Sequence, residues 1–194
     1  MYVPELPCRT LIIVSAFGGL RSVLVESSKR QMPIKVYIWN FQGFKEAWGH
    51  ASMSLSDGTY ISWWPSGGDE RKSFKGMAVK APPVHDRTLD DDIQDEEDKQ
   101  PDVIHIIPDG YINEEAIKEW WESFKVVEDW HAVNQNCSTV VYFALCNGLA
   151  LKILPDREAL QYDSAPIWNP NLLNKFVVRL LKYINKEVKP CFCI

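Results

Sequence analysis

GHASMSLSDGTYISWWP, residues 49–65, is the stretch on which the reading of the fold turns. Two short β-prone runs flank Ser56-Asp57-Gly58. If these residues form a three-residue hairpin loop with Gly58 in the left-handed conformation, Leu55 pairs with Thr59, Met53 with Ile61 and Ala51 with Trp63. One face of the hairpin is then apolar throughout. The other carries His50, Ser52 and Ser54 against Trp64, Ser62 and Tyr60, which makes His50 and Ser62 diagonal neighbours. A two-residue Asp57-Gly58 turn would instead set Ser62 beside Met53 on the core face, a mixing that burial resists. A histidine on the polar face of a strand, with a hydroxyl beside it, suits a general base whose imidazole must be oriented.

A second stretch, NQNCSTVVYFAL at residues 134–145, supplies a nucleophile. Asn136 is a natural N-cap and Gly148 a natural stop, so a helix runs from there to Asn147 with Cys137 in its first turn. Unpaired N–H groups and the helix dipole at that position favour a thiolate, and the same N–H groups can hold the oxyanion of an attacked carbonyl. Taken alone, a cysteine at a helix start is more often an inert buried residue. The hairpin histidine is what points Cys137 toward catalysis, with Ser62, or failing that Ser52, orienting the imidazole. Trp64, on the same face as His50, and Asn136 are the candidate substrate contacts.

Outward from these two stretches the pattern is α+β. Ile34 to Trp39, His50 to Leu55, Thr59 to Trp63 and Val103 to Ile107 read as strands of one antiparallel sheet. Glu114 to Val126, capped by Asn113, and Asn171 to Val188 carry apolar residues at helical spacing. Between Asp86 and Asp102 nine acidic residues stand against Arg87 and Lys99, so this segment more than accounts for the net charge of -5. With Pro82, Pro83 and Pro101 around it and little apolar content, residues 86–102 read as a mobile, dispensable surface loop inserted in a single domain spanning 1–194. A calcium loop on Asp90, Asp92 and Asp95 fails for want of the glycine at its sixth position. No metal site or cofactor is indicated.

The acidic balance and the lack of a basic stripe exclude a nucleic-acid binder. Five cysteines in no paired pattern argue against a disulfide framework and for a reducing, cytoplasmic setting. The apolar run Thr10 to Leu20 is too short to span a bilayer and reads as a buried element rather than a signal core. His105 and His131 read as structural, and His85 has no evident partner. The tail at 189–194 ends in Cys191-Phe192-Cys193-Ile194, the shape of a prenylation box with Cys191 as acceptor. Basic residues just upstream would add the second signal that peripheral membrane contact requires.

At GHASMSLSDGTYISWWP and NQNCSTVVYFAL the chain resembles the circularly permuted papain-like enzymes of the NlpC/P60 superfamily, especially the lecithin:retinol acyltransferase-like and PPPDE groups. The resemblance implies a histidine on an early strand and a cysteine opening a later helix, often in an Asn-Cys pair, here His50 and Asn136-Cys137. The acyltransferase-like branch carries a second histidine twelve residues after the first, where this chain has Ser62. It also has a glutamate-histidine-phenylalanine sequence after the cysteine that is missing here. The expected function is a cysteine-dependent hydrolase or acyltransferase acting on a peptide, amide or acyl-ester substrate through a thioester. The alternatives are a non-catalytic papain-like binding module and a lipid-remodelling phospholipase or acyltransferase at a membrane surface.

Overall fold

The computed structural model describes residues 32–43, 48–66 and 80–187. The apolar run Thr10 to Leu20 and the tail with Cys191 lie outside them. In chain order the elements begin with β1 (Ile34–Trp39), β2 (His50–Ser54), β3 (Tyr60–Ile61), β4 (Trp64–Pro65), β5 (Lys80–Ala81), β6 (Pro83–Val84) and α1 (Leu89–Asp95). They continue with β7 (Val103–Ile107), α2 (Glu114–Val127), β8 (Trp130–His131), α3 (Cys137–Asn147), a 3-10 turn at Ala150–Lys152, α4 (Asp156–Asp163) and α5 (Pro170–Glu187).

The fold is α+β around a four-stranded antiparallel sheet ordered β3-β2-β1-β7. The hairpin register follows from alternation: Met53 lies opposite Ile61 and Ser54 opposite Tyr60, the Leu55 N–H donates to the Thr59 carbonyl at 2.9 Å, and Gly58 has φ +94°. Val36, Ile38, Ala51, Met53, Ile61 and Ile107 cover one face of the sheet, and all are buried. Against β2 packs α3, which also touches α2 and α5. Val140, Val141, Ala144 and Leu145 of α3 join Ile117, Trp121 and Phe124 of α2 and Leu173, Phe176 and Leu180 of α5 in one hydrophobic cluster. Removing a side chain such as Leu145 from this cluster costs about 2–5 kcal/mol.

The other face of the sheet departs from expectation. His50, Ser52 and Ser62 are 1%, 0% and 1% exposed, so the polar part of this face around His50 is buried. Its cover is the acidic segment, where the sequence reads a loop and the structure has the helix α1. Thr88 and Asp91 form a capping box at its start: the Thr88 side chain accepts from the Asp91 N–H, and the Asp91 carboxylate accepts from the Thr88 N–H at 2.7 Å. The far end is pinned by Trp39, whose indole N–H donates to the Lys99 carbonyl at 2.7 Å, and by Asp102, which accepts from the Asn40 N–H at 2.7 Å. These anchors are polar and reach back to strands and loops distant in sequence, so no local periodicity announces them. The helix α4 and the two-stranded ribbons β4-β6 and β5-β8 are likewise absent from the sequence reading.

Candidate active site

His50 opens β2 where the chain turns sharply into the sheet. Gly49 takes φ +67° there, and a Cβ on it would lie 2.3 Å from the Trp39 carbonyl oxygen, so only glycine lets β2 start beside the end of β1. Opposite Trp39 in register, His50 points its ring into the polar layer under α1. Its Nε2 meets Asp92 Oδ2 at 3.1 Å and Ser62 Oγ at 3.3 Å. Trp64 stacks on the imidazole with centroids 4.2 Å apart and planes at 25°, and Trp39 borders the ring at 5.5 Å.

Asp92, fully buried, is the residue that the sequence reading missed. Its Oδ1 accepts from Ser62 at 2.9 Å, from the Trp64 indole N–H at 2.8 Å and from Arg87 Nε at 2.9 Å. Its Oδ2 accepts from Tyr60 at 2.7 Å as well as from His50. Five donors on one carboxylate are what a buried charge requires. Burial alone would raise its pKa, but the charge and hydrogen bond of His50 and the donations from Tyr60 and Trp64 hold it well below the usual carboxylate value. For His50, burial opposes the imidazolium, and the charges of Asp92 and Cys137, with hydrogen bonds to both, outweigh it and raise the pKa well above the ordinary histidine value. Tyr60 is pushed upward by burial and by Asp92, so it stays a donor, and Ser52 Oγ sits 2.6 Å from its oxygen.

Cys137 approaches from α3. It is half-buried and free, at the first helical position, where its own N–H has no intrahelical partner. With Nε2 committed to Asp92 and Ser62, the imidazole has Nδ1 left for the thiol. Asn136 sets this helix start: its Oδ1 accepts from the Thr139 N–H at 3.0 Å and from the Thr139 hydroxyl at 3.2 Å, while Nδ2 donates to the carbonyls of Ala132 at 3.0 Å and Trp168 at 2.8 Å. All its hydrogen-bonding capacity is used, which leaves none for the substrate contact expected of it. Cys146, nine positions further along the same helix, contrasts with Cys137: burial pushes its thiol up to about 12.

Ser62 is present where expected, yet its hydroxyl serves Asp92, and the carboxylate is the stronger orienting group for the imidazole. Trp64 shares the face of His50 as expected, and its indole is already engaged by the imidazole stacked on it and by Arg87, whose guanidinium carbon lies 5.3 Å from the ring centre. The remaining histidines sit elsewhere. His105 Nε2 bonds Asn174 Oδ1 at 2.6 Å, His131 Nδ1 accepts from the N–H groups of Val133 and Asn134, and His85 stacks on Trp63. Among the described residues, no group of His, Cys, Asp or Glu is placed to hold a metal ion, and no helix is long and apolar enough to cross a membrane.

Compared with family models, curated proteins and solved structures, the chain matches none. One sequence signal could have exposed Asp92: Thr88-Leu89-Asp90-Asp91 fits a capping box, with Leu89 and Ile93 four apart, and a helix there puts Asp92 in register to meet a buried base.

Proposed function

We propose that the chain is a cysteine-dependent hydrolase or acyltransferase of papain-like chemistry, working through Cys137, His50 and Asp92. The observation that carries this reading is the buried His50–Asp92 ion pair at 3.1 Å, coupled electrostatically to a half-exposed thiol at a helix start. A buried imidazole held by a carboxylate on one nitrogen and offered to a thiol on the other is the arrangement nucleophilic cysteine catalysis needs. The Cys137 thiolate attacks the carbonyl carbon of an amide or ester, forming the S–C bond as the carbonyl electrons move to oxygen. The Cys137 N–H, unpaired in the first turn of α3, stabilises that oxyanion. As the intermediate collapses, the C–N or C–O bond breaks and the His50 imidazolium gives its proton to the leaving group. His50, now neutral, takes a proton from water or another acceptor, which attacks the thioester and regenerates the thiolate.

Iodoacetamide labelling across pH, comparing the wild type with Cys137→Ala and His50→Ala, tests the reading. Expected is rapid labelling of Cys137 in the wild type that slows markedly in His50→Ala and vanishes in Cys137→Ala. Labelling of Cys137 that is no faster in the wild type than in His50→Ala would favour the non-catalytic binding module.

A further inference from the structure

Trp64 touches both halves of the ion pair at once. Its indole face lies on the imidazole at 4.2 Å, and its ring N–H donates to Asp92 Oδ1 at 2.8 Å. We propose that Trp64 is a positioning residue of the site: the ring face holds His50 as the imidazolium while the ring N–H fixes the carboxylate that faces it. This rests on the Cys137–His50 reading above.

The mounting of Trp64 is rigid. Trp64 pairs with Val84 and Pro65 with Pro83 in the β4-β6 ribbon, which fixes the backbone on which the indole stands. On the outer side Arg87 presses its guanidinium over the ring and reaches past it to Asp92 at 2.9 Å and Asp95 at 2.6 Å. The indole cannot swing out without breaking those contacts. On the far side of the imidazole, Trp39 closes the gap. A cation on the face of an indole in a desolvated setting is favoured over the neutral ring, because the face carries the negative end of the aromatic quadrupole. Trp64 therefore adds to the preference for the imidazolium that Asp92 creates, and keeps the nitrogen that faces the thiol from rotating.

The charged and titratable groups around His50 are Asp92 from α1, Glu96 just after that helix, Arg87 from the segment before it, Tyr60 from β3 and Cys137 from α3. Apart from Cys137, which is replaced throughout the test series, they are common to every Trp64 variant, so a change across the series reports on the indole.

The test is an NMR titration of His50 in full-length protein carrying Cys137→Ala, which removes the interacting thiol from beside the imidazole. In that background Trp64→Leu is expected to lower the His50 pKa by about one pH unit, the shift that corresponds to losing a desolvated cation–π contact. Trp64→Phe, which keeps a ring face and loses the N–H, falls by less. Should Trp64→Leu fail to fold, fluorinated tryptophans placed at position 64 keep the shape and weaken only the face, and the pKa steps down with each added fluorine. A His50 titration that is unchanged in Trp64→Leu, or flat across the fluorinated series, overturns the proposal. So does a Trp64→Phe value as low as that of Trp64→Leu, because the hydrogen bond would then carry the effect. The parent function is read separately, from the difference in His50 titration between the wild type and Cys137→Ala. Loss of that difference sinks the function while leaving the Trp64 series to stand or fall by itself.

Discussion

Helices α1 and α3 each deliver one side chain to His50, and they are held against the protein by opposite physics. The longer α3 sinks into the core: Val140, Val141, Ala144 and Leu145 are buried, and Cys137 is displayed at an end whose position the apolar face fixes. The shorter α1 has a single buried residue, and that residue is the acid Asp92. Its hold on the site passes through the Asp92 carboxylate and through Arg87, with the Trp39–Lys99 and Asn40–Asp102 hydrogen bonds securing the segment beyond it, so the group proposed to serve the chemistry is also an anchor. The proposed nucleophile is carried by a hydrophobic scaffold that is indifferent to it, whereas this carboxylate is part of its own scaffold.

The largest effect that follows is on chemistry alone. Cys137→Ala should abolish thiol-dependent activity and labelling at that position while leaving the melting temperature within a degree or so, since α3 is anchored elsewhere; a large drop in melting temperature would mean the thiol is structural. Asp92→Ala should strike both properties together. Turnover falls on the order of 10²-fold or more as the base loses its orientation, and stability falls by about 3 kcal/mol because a buried cation and its fellow donors lose their partner. Hydrogen exchange should rise mainly over α1; unchanged exchange there would show that α1 has some other anchor.

The contribution of the ion pair to stability is bounded in pH on both sides. Asp92, with its pKa depressed in the folded state, contributes above the ordinary carboxylate value of 3.8 and loses that contribution as pH falls toward its folded value. His50, with its pKa raised, contributes fully below its ordinary value of 6.5 and loses that contribution as pH rises toward its folded value. The stability gap between the wild type and Asp92→Asn should therefore be widest between about pH 4 and 6.5 and should narrow on either side. A gap that does not vary with pH would mean the pair is not ionised.

Smaller still is the cap. Thr88→Ala removes the N-terminal hydrogen bond of α1 and should cost about 1 kcal/mol, read as faster exchange in α1 with α3 untouched. Smallest is Cys146: its thiol, pushed up to about 12, should stay unlabelled by iodoacetamide at neutral pH, and Cys146→Ala should leave the labelling profile unchanged. Labelling of Cys146 at a rate like that of Cys137 would erase the distinction between the two ends of α3.

How much of this was legible in the sequence follows the same division. The hairpin register, the bounds of α2 and α3 within a residue or so, and the placement of His50 and Cys137 came from alternation, helical spacing and caps, which are local and apolar signals. The capping box at Thr88 and Asp91 could have announced α1, but the burial of Asp92 depends on Tyr60, Ser62, Trp64, Arg87 and His50 converging on it, and no stretch of the chain reads as that convergence. Charge density pointed the wrong way: of the nine acids between Asp86 and Asp102, only Asp92 is fully buried, and composition cannot pick it out. Asn136 was read correctly as a cap, and its hydrogen bonds to Thr139, Ala132 and Trp168 engage the whole side-chain amide.

The polar anchoring of α1 also bears on the order in which the molecule assembles. The β2-β3 hairpin closes across a three-residue loop, while Asp92 meets His50 across 42 residues, and the one fully buried side chain of α1 is that carboxylate. The collapsed chain must already have gathered the hairpin, Trp64 and Arg87 before the carboxylate can be accommodated without water. Completion of the site is thus expected to follow closure of the hairpin, and a nascent or partly folded chain would carry Cys137 without a fixed imidazole beside it.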